Sequence, residues 1–369
     1  MTDRANSVAL ANDCSRGQSL GCSALLPGQF LRVITGDCRT VLRELPDESV
    51  NCCVTSPPYW GLRNYGHADQ IGQEETPEAY VETMREVFAE VWRVMREDGT
   101  LWLNIGDSYS GSGKGGNPGH SPHVKQRTNS GSLSVRGVKR NGRKPKDLIG
   151  VPWLVAFALQ RDGWYLRSDI IWHKPNCMPE SVMDRPSRCH EYLFLLTKSE
   201  RYYYDHAAIK EPCSESFQND GRWKTGPTDK NEKSGYAESG AQNPKSVHRI
   251  FKKQNGHGRR HAGFNERWDA NEANGTAPMM RNKRDVWTIS PANYPQAHFA
   301  TYPPALIKPC ILAGCPARGV VLDPFGGSGT TGAVALELGR RAVLVELNPD
   351  YTKLINERCA TTPGLPLAG

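Results

Sequence analysis

From Phe30 onward, apolar and polar positions switch repeatedly between two periods. The apolar runs "FLRVI" and "SVNCCV" have the length of buried strands and flank a short helical stretch, "TVLREL". The segment "TPEAYVETMREVFAEVWRVMREDG" repeats Val81, Met84, Phe88, Val91 and Met95 at spacings of three and four, with charges between them. That is the stripe of a helix lying on a core. Thr76 suits its N-cap, Pro77 its first turn, and Gly99 a position just past its end. Strand "TLWLNIG", helix "DLIGVPWLVAFALQRDG" and strands "LRSDIIW" and "EYLFLLT" follow. Later come helix "PPALIKPCILAG", strand "GVVLD", a Gly-rich turn, helix "TTGAVALELG" and strand "AVLVEL". Strands alternating with helices predict an α/β fold whose mostly parallel sheet is covered on both faces.

Two segments interrupt this pattern. Residues 108–146 hold nine Lys/Arg, no acid and no apolar period, which reads as a basic loop. Residues 205–285 are polar and basic with scattered aromatics, Trp223, Phe251, Phe264 and Trp268 among them, and are long enough for a small module. The expected organisation is a flexible 1–28, a first half of the main domain over 29–204, the insertion 205–285, a second half over 286–360, and a tail 361–369. A formal charge of +7 leans toward an anionic partner. The eleven cysteines contain no CxxC pair, and His248, His257 and His261 have no cysteines close by, so no metal site is expected. No stretch reaches the ~18 apolar residues of a membrane span, and the start lacks a secretory pattern. The expectation is a cytoplasmic protein with reduced thiols and no membrane partner.

Candidate chemistry gathers at two places. In "VVLDPFGGSGTTGAVALELGRRAVLVELNPD", Gly327, Gly329 and Gly332 meet G-x-G-x-x-G between a strand and a helix. Glu346 ends the next strand, 17 residues after Gly329, where a ribose-binding carboxylate belongs. An NAD-dependent oxidoreductase is one reading of that turn. Asp323 just before it would repel a diphosphate yet suits a ligand bearing an ammonium group. S-adenosyl-L-methionine, with an ammonium, a ribose and no phosphate, fits better.

The second place is "VTSPPYWG", where two prolines stop a strand and two aromatics follow. The Ser56 hydroxyl and the Pro57 carbonyl can both accept from one –NH2 group, while Tyr59 or Trp60 offers a face to a flat ring. An exocyclic amine is a poor nucleophile because its lone pair is delocalised. Two rigidly held acceptors localise that pair as it attacks a methyl group, stabilising the transition state with fixed dipoles. Pro57 and Pro58 supply the rigidity.

"TSPPYW" and "DPFGGSG" together resemble the catalytic and methyl-donor motifs of the DNA amino-methyltransferases that act on N4 of cytosine or N6 of adenine. The catalytic motif comes first, as in the permuted β class of that family. The resemblance implies a Rossmann-like S-adenosylmethionine-dependent methyltransferase fold with a seven-stranded, mostly parallel sheet and a target-recognition insertion. It implies catalytic Ser56, Pro57, Pro58 and Tyr59. It implies cofactor contacts from Asp37 in "GDC", His298 and Tyr302 in "HFATYPPALI", and Asp323, Phe325, Gly327, Gly329, Thr330 and Glu346. "SDIIWHKPN" and "SRCHEYLFLLTKSERYYYD" resemble the region preceding the family's recognition module.

Serine in the first motif position is the habit of N4-cytosine enzymes, and Asp or Asn that of adenine enzymes. The expected activity is therefore N4-cytosine methylation of duplex DNA after base flipping, with adenine N6 as the alternative. Lys139, Arg140, Arg143, Lys144, Arg249, Lys252, Lys253, Arg259 and Arg260 are the candidate DNA contacts. A homodimer and a cognate restriction endonuclease are the expected protein partners. RNA or protein methylation and an inactive DNA-binding relative are the competing readings. C5 methylation is disfavoured, because neither Cys213 nor Cys310 follows a strand as a nucleophile loop would.

Overall fold

A computed structural model describes residues 25, 28–61, 67, 69–110, 143–177, 180, 182–213, 280–291 and 302–362. In chain order these form β1 (Leu31–Thr35), α1 (Cys38–Val41), a 3-10 turn, β2 (Val50–Thr55), α2 (Pro77–Val94), β3 (Met95–Ile105), α3 (Val151–Arg161), β4 (Tyr165–His173) and β5 (His190–Thr197). Next are β6 (Glu211–Pro212), β7 (Met280–Arg281), β8 (Val286–Thr288), α4 (Pro304–Gly314), β9 (Val320–Asp323), α5 (Thr330–Glu337), β10 (Arg341–Glu346) and α6 (Pro349–Ala360).

Eight strands make one sheet in the order β1-β10-β9-β2-β3-β5-β4-β8. This corrects the seven-stranded expectation. The sheet is mixed: β5 pairs antiparallel with both β3 and β4, and all other neighbours are parallel. The short β8 adds the extra strand by pairing with the end of β4, Trp172 opposite Trp287.

The chain around residue 95 also differs from the periodic pattern. Helix α2 stops at Val94, and Met95, with ψ 142°, is already extended and opposite Val50. The last helical carbonyls accept from the loop before β2, Ser49 N–H to Val94 and Glu48 N–H to Arg93. Gly99 consequently lies inside β3, not after a helix. The apolar stripe continues because the strand's buried positions happen to extend it.

Helices cover both faces. Against one lie α1, α2 and α3, whose core includes Tyr80, Met84, Phe88, Val343 and Val345. Against the other lie α4, α5 and α6; there Leu344, on the opposite side of β10 from Val343, packs with Leu336, Ile355 and Cys359. Thr76 caps α2 by accepting from the Ala79 N–H, as its sequence suggested. Ile209–Lys283 forms a second compact unit, of which β6 and β7 are described.

Candidate active site

β2 and β9 lie side by side and parallel, Cys52 opposite Val321 and Cys53 opposite Leu322. From β2 the sheet continues to β3 on one side, and from β9 to β10 on the other. Crevices open at the carboxyl ends of strands where connections diverge in this way. The two motifs, 268 positions apart, occupy those two ends. A side-chain bond ties them: Thr55 Oγ1 donates to Asp323 Oδ1 at 2.6 Å.

Asp323 is fully buried and has both oxygens engaged. Oδ1 also accepts from the Phe325 N–H at 3.0 Å, and Oδ2 from Tyr302 at 2.8 Å and Thr331 at 2.7 Å. Tyr302 and Thr331 are themselves in short contact through their hydroxyls. Sequence reasoning aimed Asp323 outward at an ammonium group; its four protein donors instead make it the knot joining β2, β9, α5 and the Tyr302 segment. Burial pushes its carboxyl up to about 6 despite these hydrogen bonds.

The glycines divide their work. Gly327 has φ +51°, and a Cβ there would meet nothing closer than 3.8 Å, so its turn leaves open space over the backbone. Gly329 has φ +77° and lies under Ile355, while a Cβ at Gly332 would strike Leu344 at 2.5 Å. Those two serve close packing of α5 on β10 and α6. Glu346 closes the open side: its Oε2 accepts from the Gly327 N–H at 2.7 Å and its Oε1 from the Asn348 N–H at 2.9 Å. Burial raises its pKa, against those two donors. On neighbouring β1, Asp37 follows the carboxyl end and caps α1 through the Arg39 N–H. Burial pushes its carboxyl up, but Arg39's guanidinium and N–H outweigh that and hold it below the usual range. Thr330 is buried with its hydroxyl accepting from Arg358, which also binds the Ser328 carbonyl, so α6 pins the turn from behind.

At the end of β2, Ser56 donates to the Tyr59 oxygen at 3.3 Å. Tyr59 donates to Glu191 Oε2 at 2.7 Å, with Asn104 Oδ1 at 3.0 Å as a second acceptor. Burial first, and Glu191's charge second, raise the Tyr59 pKa well above its ordinary value, so the phenol stays neutral. A Cβ at Gly106 would come within 2.6 Å of the Tyr59 ring, so bare backbone at the end of β3 makes room for it. Tyr80 donates to the Pro58 carbonyl at 2.9 Å, fixing the second proline. Trp60 differs from expectation: it is buried, and its indole N–H binds the Glu74 carbonyl, so it anchors the loop and offers no stacking face.

Several residues at this site were not singled out from sequence. Glu191 is the second residue of β5, and because β5 runs antiparallel its beginning lies at the carboxyl ends of the parallel strands. Lys174, just past β4, pairs with Glu191 Oε1 and sits 4.2 Å from the Trp172 ring centre. Asn104 donates to Glu191 and to the Tyr192 carbonyl. Only the strand order brings them to Tyr59. Of the candidate DNA contacts, Arg143 is ion-paired with Glu78 and Lys144 is exposed. Lys139, Arg140, Arg249, Lys252, Lys253, Arg259, Arg260 and the cofactor candidate His298 lie outside the described residues, as do Trp223, Phe251, Phe264 and Trp268. Among the described residues no cluster of His, Cys, Asp and Glu suits a metal. Cys310 is buried in α4, its thiol on the Leu306 carbonyl. No described helix is long and apolar enough to cross a membrane.

A sheet with divergent connections, a glycine turn closed by an acid and a rigid Ser-Pro-Pro-Tyr edge beside it define a Rossmann-like methyltransferase. Residues 50–357 match the N6_N4_Mtase model, described as DNA methylase, and the chain belongs to that family. It is 43% identical over 330 residues to the type II methyltransferase M.SmaI of Serratia marcescens, covering 89% of this chain and 90% of that one. It is 34% identical to M.SfiI of Streptomyces fimbriatus, covering 88% and 90%. Among solved structures, the PvuII DNA methyltransferase (cytosine-N4-specific) superposes with a TM-score of 0.55 at 16% identity, covering 89% of this chain and 86% of that one. A Thermus thermophilus protein complexed with S-adenosyl-L-methionine gives 0.50 at 23%, covering 91% and 96%. These two likenesses are of fold.

Proposed function

We propose that this DNA methylase transfers a methyl group from S-adenosyl-L-methionine to the exocyclic N4 of a cytosine flipped from duplex DNA, as a type II modification enzyme of the permuted β class. The observation that carries the reading is the direction of the Ser56 hydroxyl. Its proton is spent on Tyr59, so its oxygen lone pairs are left to accept from an incoming amine. Among the described residues the Pro58 carbonyl is taken by Tyr80, and no protein donor reaches the Pro57 carbonyl, the second acceptor.

The donor site fits on the protein's own features. The open backbone at Gly327 admits a ligand against the turn, Glu346 closes it for a ribose, and Asp37 lies at the end of the adjoining strand. When bound, the donor supplies an electrophilic methyl whose bond to sulfur breaks as the bond to nitrogen forms, the electron pair staying on sulfur. The protein's part is to hold the amine nitrogen in line, accept its two hydrogen bonds and keep the acceptors from relaxing. The Thr55–Asp323 bond fixes the spacing of the two motifs, which proximity catalysis needs.

Ser56→Ala and Tyr59→Ala are expected to bind S-adenosyl-L-methionine as wild type does in calorimetric titration. Transfer of labelled methyl to duplex DNA should fall ~10²-fold or more. Full turnover in both would remove the assigned role. Mass spectrometry of nucleosides from the wild-type product separates N4-methylcytosine from N6-methyladenine. The Ser in "SPPY" supports the cytosine assignment.

A further inference from the structure

Methylation of an exocyclic amine leaves nitrogen with one hydrogen too many, and that proton must go somewhere. Ser56 Oγ, Tyr59 Oη and Glu191 Oε2 form an unbroken chain, each donating to the next at 3.3 and 2.7 Å. We infer that Glu191 is the terminal acceptor of the proton released by the methylated amine, reached through the hydroxyls of Ser56 and Tyr59. The inference rests on the reading of Ser56 as an acceptor of the amine.

The step balances. As the nitrogen's N–H bond breaks, its electron pair returns to nitrogen and its proton passes to Ser56 Oγ. The Ser56 proton passes to Tyr59 Oη, and the Tyr59 proton to Glu191 Oε2. Both hydroxyls end as neutral as they began, and Glu191 becomes a carboxylic acid. Asn104 makes this final state stable. Its amide orientation is set by Nδ2, which donates to the Tyr192 carbonyl at 3.1 Å, leaving Oδ1 facing Tyr59 at 3.0 Å. A phenol has a single proton. With Glu191 ionised, that proton serves Glu191. With Glu191 protonated, Glu191 donates to Tyr59, and Tyr59 turns its proton to the waiting Asn104 oxygen. Two complete hydrogen-bond patterns thus exist for the two protonation states.

Charged and polar groups from several elements face Glu191. Lys174 from the end of β4 neutralises it directly. His190 adjoins it on β5, with His173 opposite His190 on β4 and Arg188 preceding them; burial, then Arg188's charge, lower the His190 pKa. Tyr59 and Asn104 complete the shell. Between turnovers the proton passes from Glu191 to solvent, which leaves the Lys174–Glu191 ion pair as it began.

The test begins with wild-type enzyme on duplex DNA, the modified base being located by sequencing. Absence of transfer there defeats the functional reading itself. On that duplex, Glu191→Gln keeps an acceptor for Tyr59 but cannot take a proton. It is expected to bind donor, and to flip a fluorescent base analogue at the target, within about twofold of wild type. Its single-turnover rate should fall ~10²-fold, with loss of the acid limb of the rate–pH profile. Lys174→Gln removes the counter-charge and is expected to move that limb to higher pH, which a purely structural role would not do.

A third readout needs neither donor nor DNA. Acid titration of the protein alone should perturb the absorbance of one tyrosine, and the change should vanish in Tyr59→Phe and in Glu191→Gln. A wild-type-like acid limb in Glu191→Gln, or an unmoved limb in Lys174→Gln, overturns the inference. Should Glu191→Gln not fold, the Lys174→Gln limb and the Tyr59→Phe difference spectrum decide alone.

Discussion

Asp323 is a carboxyl group with no exposure, and burial raises its pKa to about 6. A carboxyl that holds its proton more tightly folded than unfolded favours the folded state at low pH. That advantage disappears as pH rises from the unfolded value through the folded one. Wild type is therefore expected to lose stability relative to Asp323→Asn between about pH 4 and pH 6, by up to about 3 kcal/mol. The difference should then stay level, as read by urea unfolding at stepped pH. The turn glycines part in a different way. Gly332→Ala forces a methyl into Leu344 and should cost ~1–3 kcal/mol of stability. Gly327→Ala meets no neighbour, yet must hold φ +51°, costing ~1–2 kcal/mol, and its methyl fills the space above the turn. Calorimetry should accordingly show the larger loss of S-adenosyl-L-methionine affinity in Gly327→Ala.

Helix α2 is held at both ends. Thr76→Ala removes its cap and should lower unfolding free energy by about 1 kcal/mol, with the denaturant slope unchanged. At the other end Arg93 binds the Leu42 and Leu45 carbonyls and pairs with Glu90 and Asp47, tying α2 to the turn before β2. Elements of this kind were legible wherever one local period persisted, as in α2, β2, β9 and the glycine turn with its acid. The Ser-Pro-Pro-Tyr edge was legible because its rigidity is written into consecutive residues. What escaped was pairing. Nothing local says that β5 reverses direction, so nothing local sends Glu191 and Lys174 to Tyr59. The end of α2 was misplaced for a related reason, since Met95 satisfies the helical stripe and the strand alike. Helix α6 had a readable start in Asn348, which caps it, and Pro349 in its first turn. Its apolar face is too sparse to announce it.

At the scale of the whole molecule, an excess of seven positive charges accompanies a partner whose charge is negative throughout. We propose that Lys252, Lys253, Arg259 and Arg260 bind phosphates, so that changing all four to Ala weakens binding to every duplex. It should also flatten the plot of log affinity against log salt by ~0.9 for each phosphate no longer neutralised. An unchanged slope in fluorescence anisotropy would place the phosphate-binding residues elsewhere.

The outermost strand β1 is formed near the start of the chain, and its partner β10 more than three hundred residues later, Leu31 opposite Ala342. β2 likewise waits for β9. A ribosome must therefore pass Glu346 before Asp37 can meet the acid it shares a crevice with. Until then the Ser-Pro-Pro-Tyr edge exists without a place to hold the methyl donor, and two strand edges stand open to other chains. A nascent or prematurely released product is thus chemically silent but adhesive. Expression should be limited by how quickly synthesis runs from β2 to β10, and slow codons between them should raise aggregation without altering the enzyme that emerges.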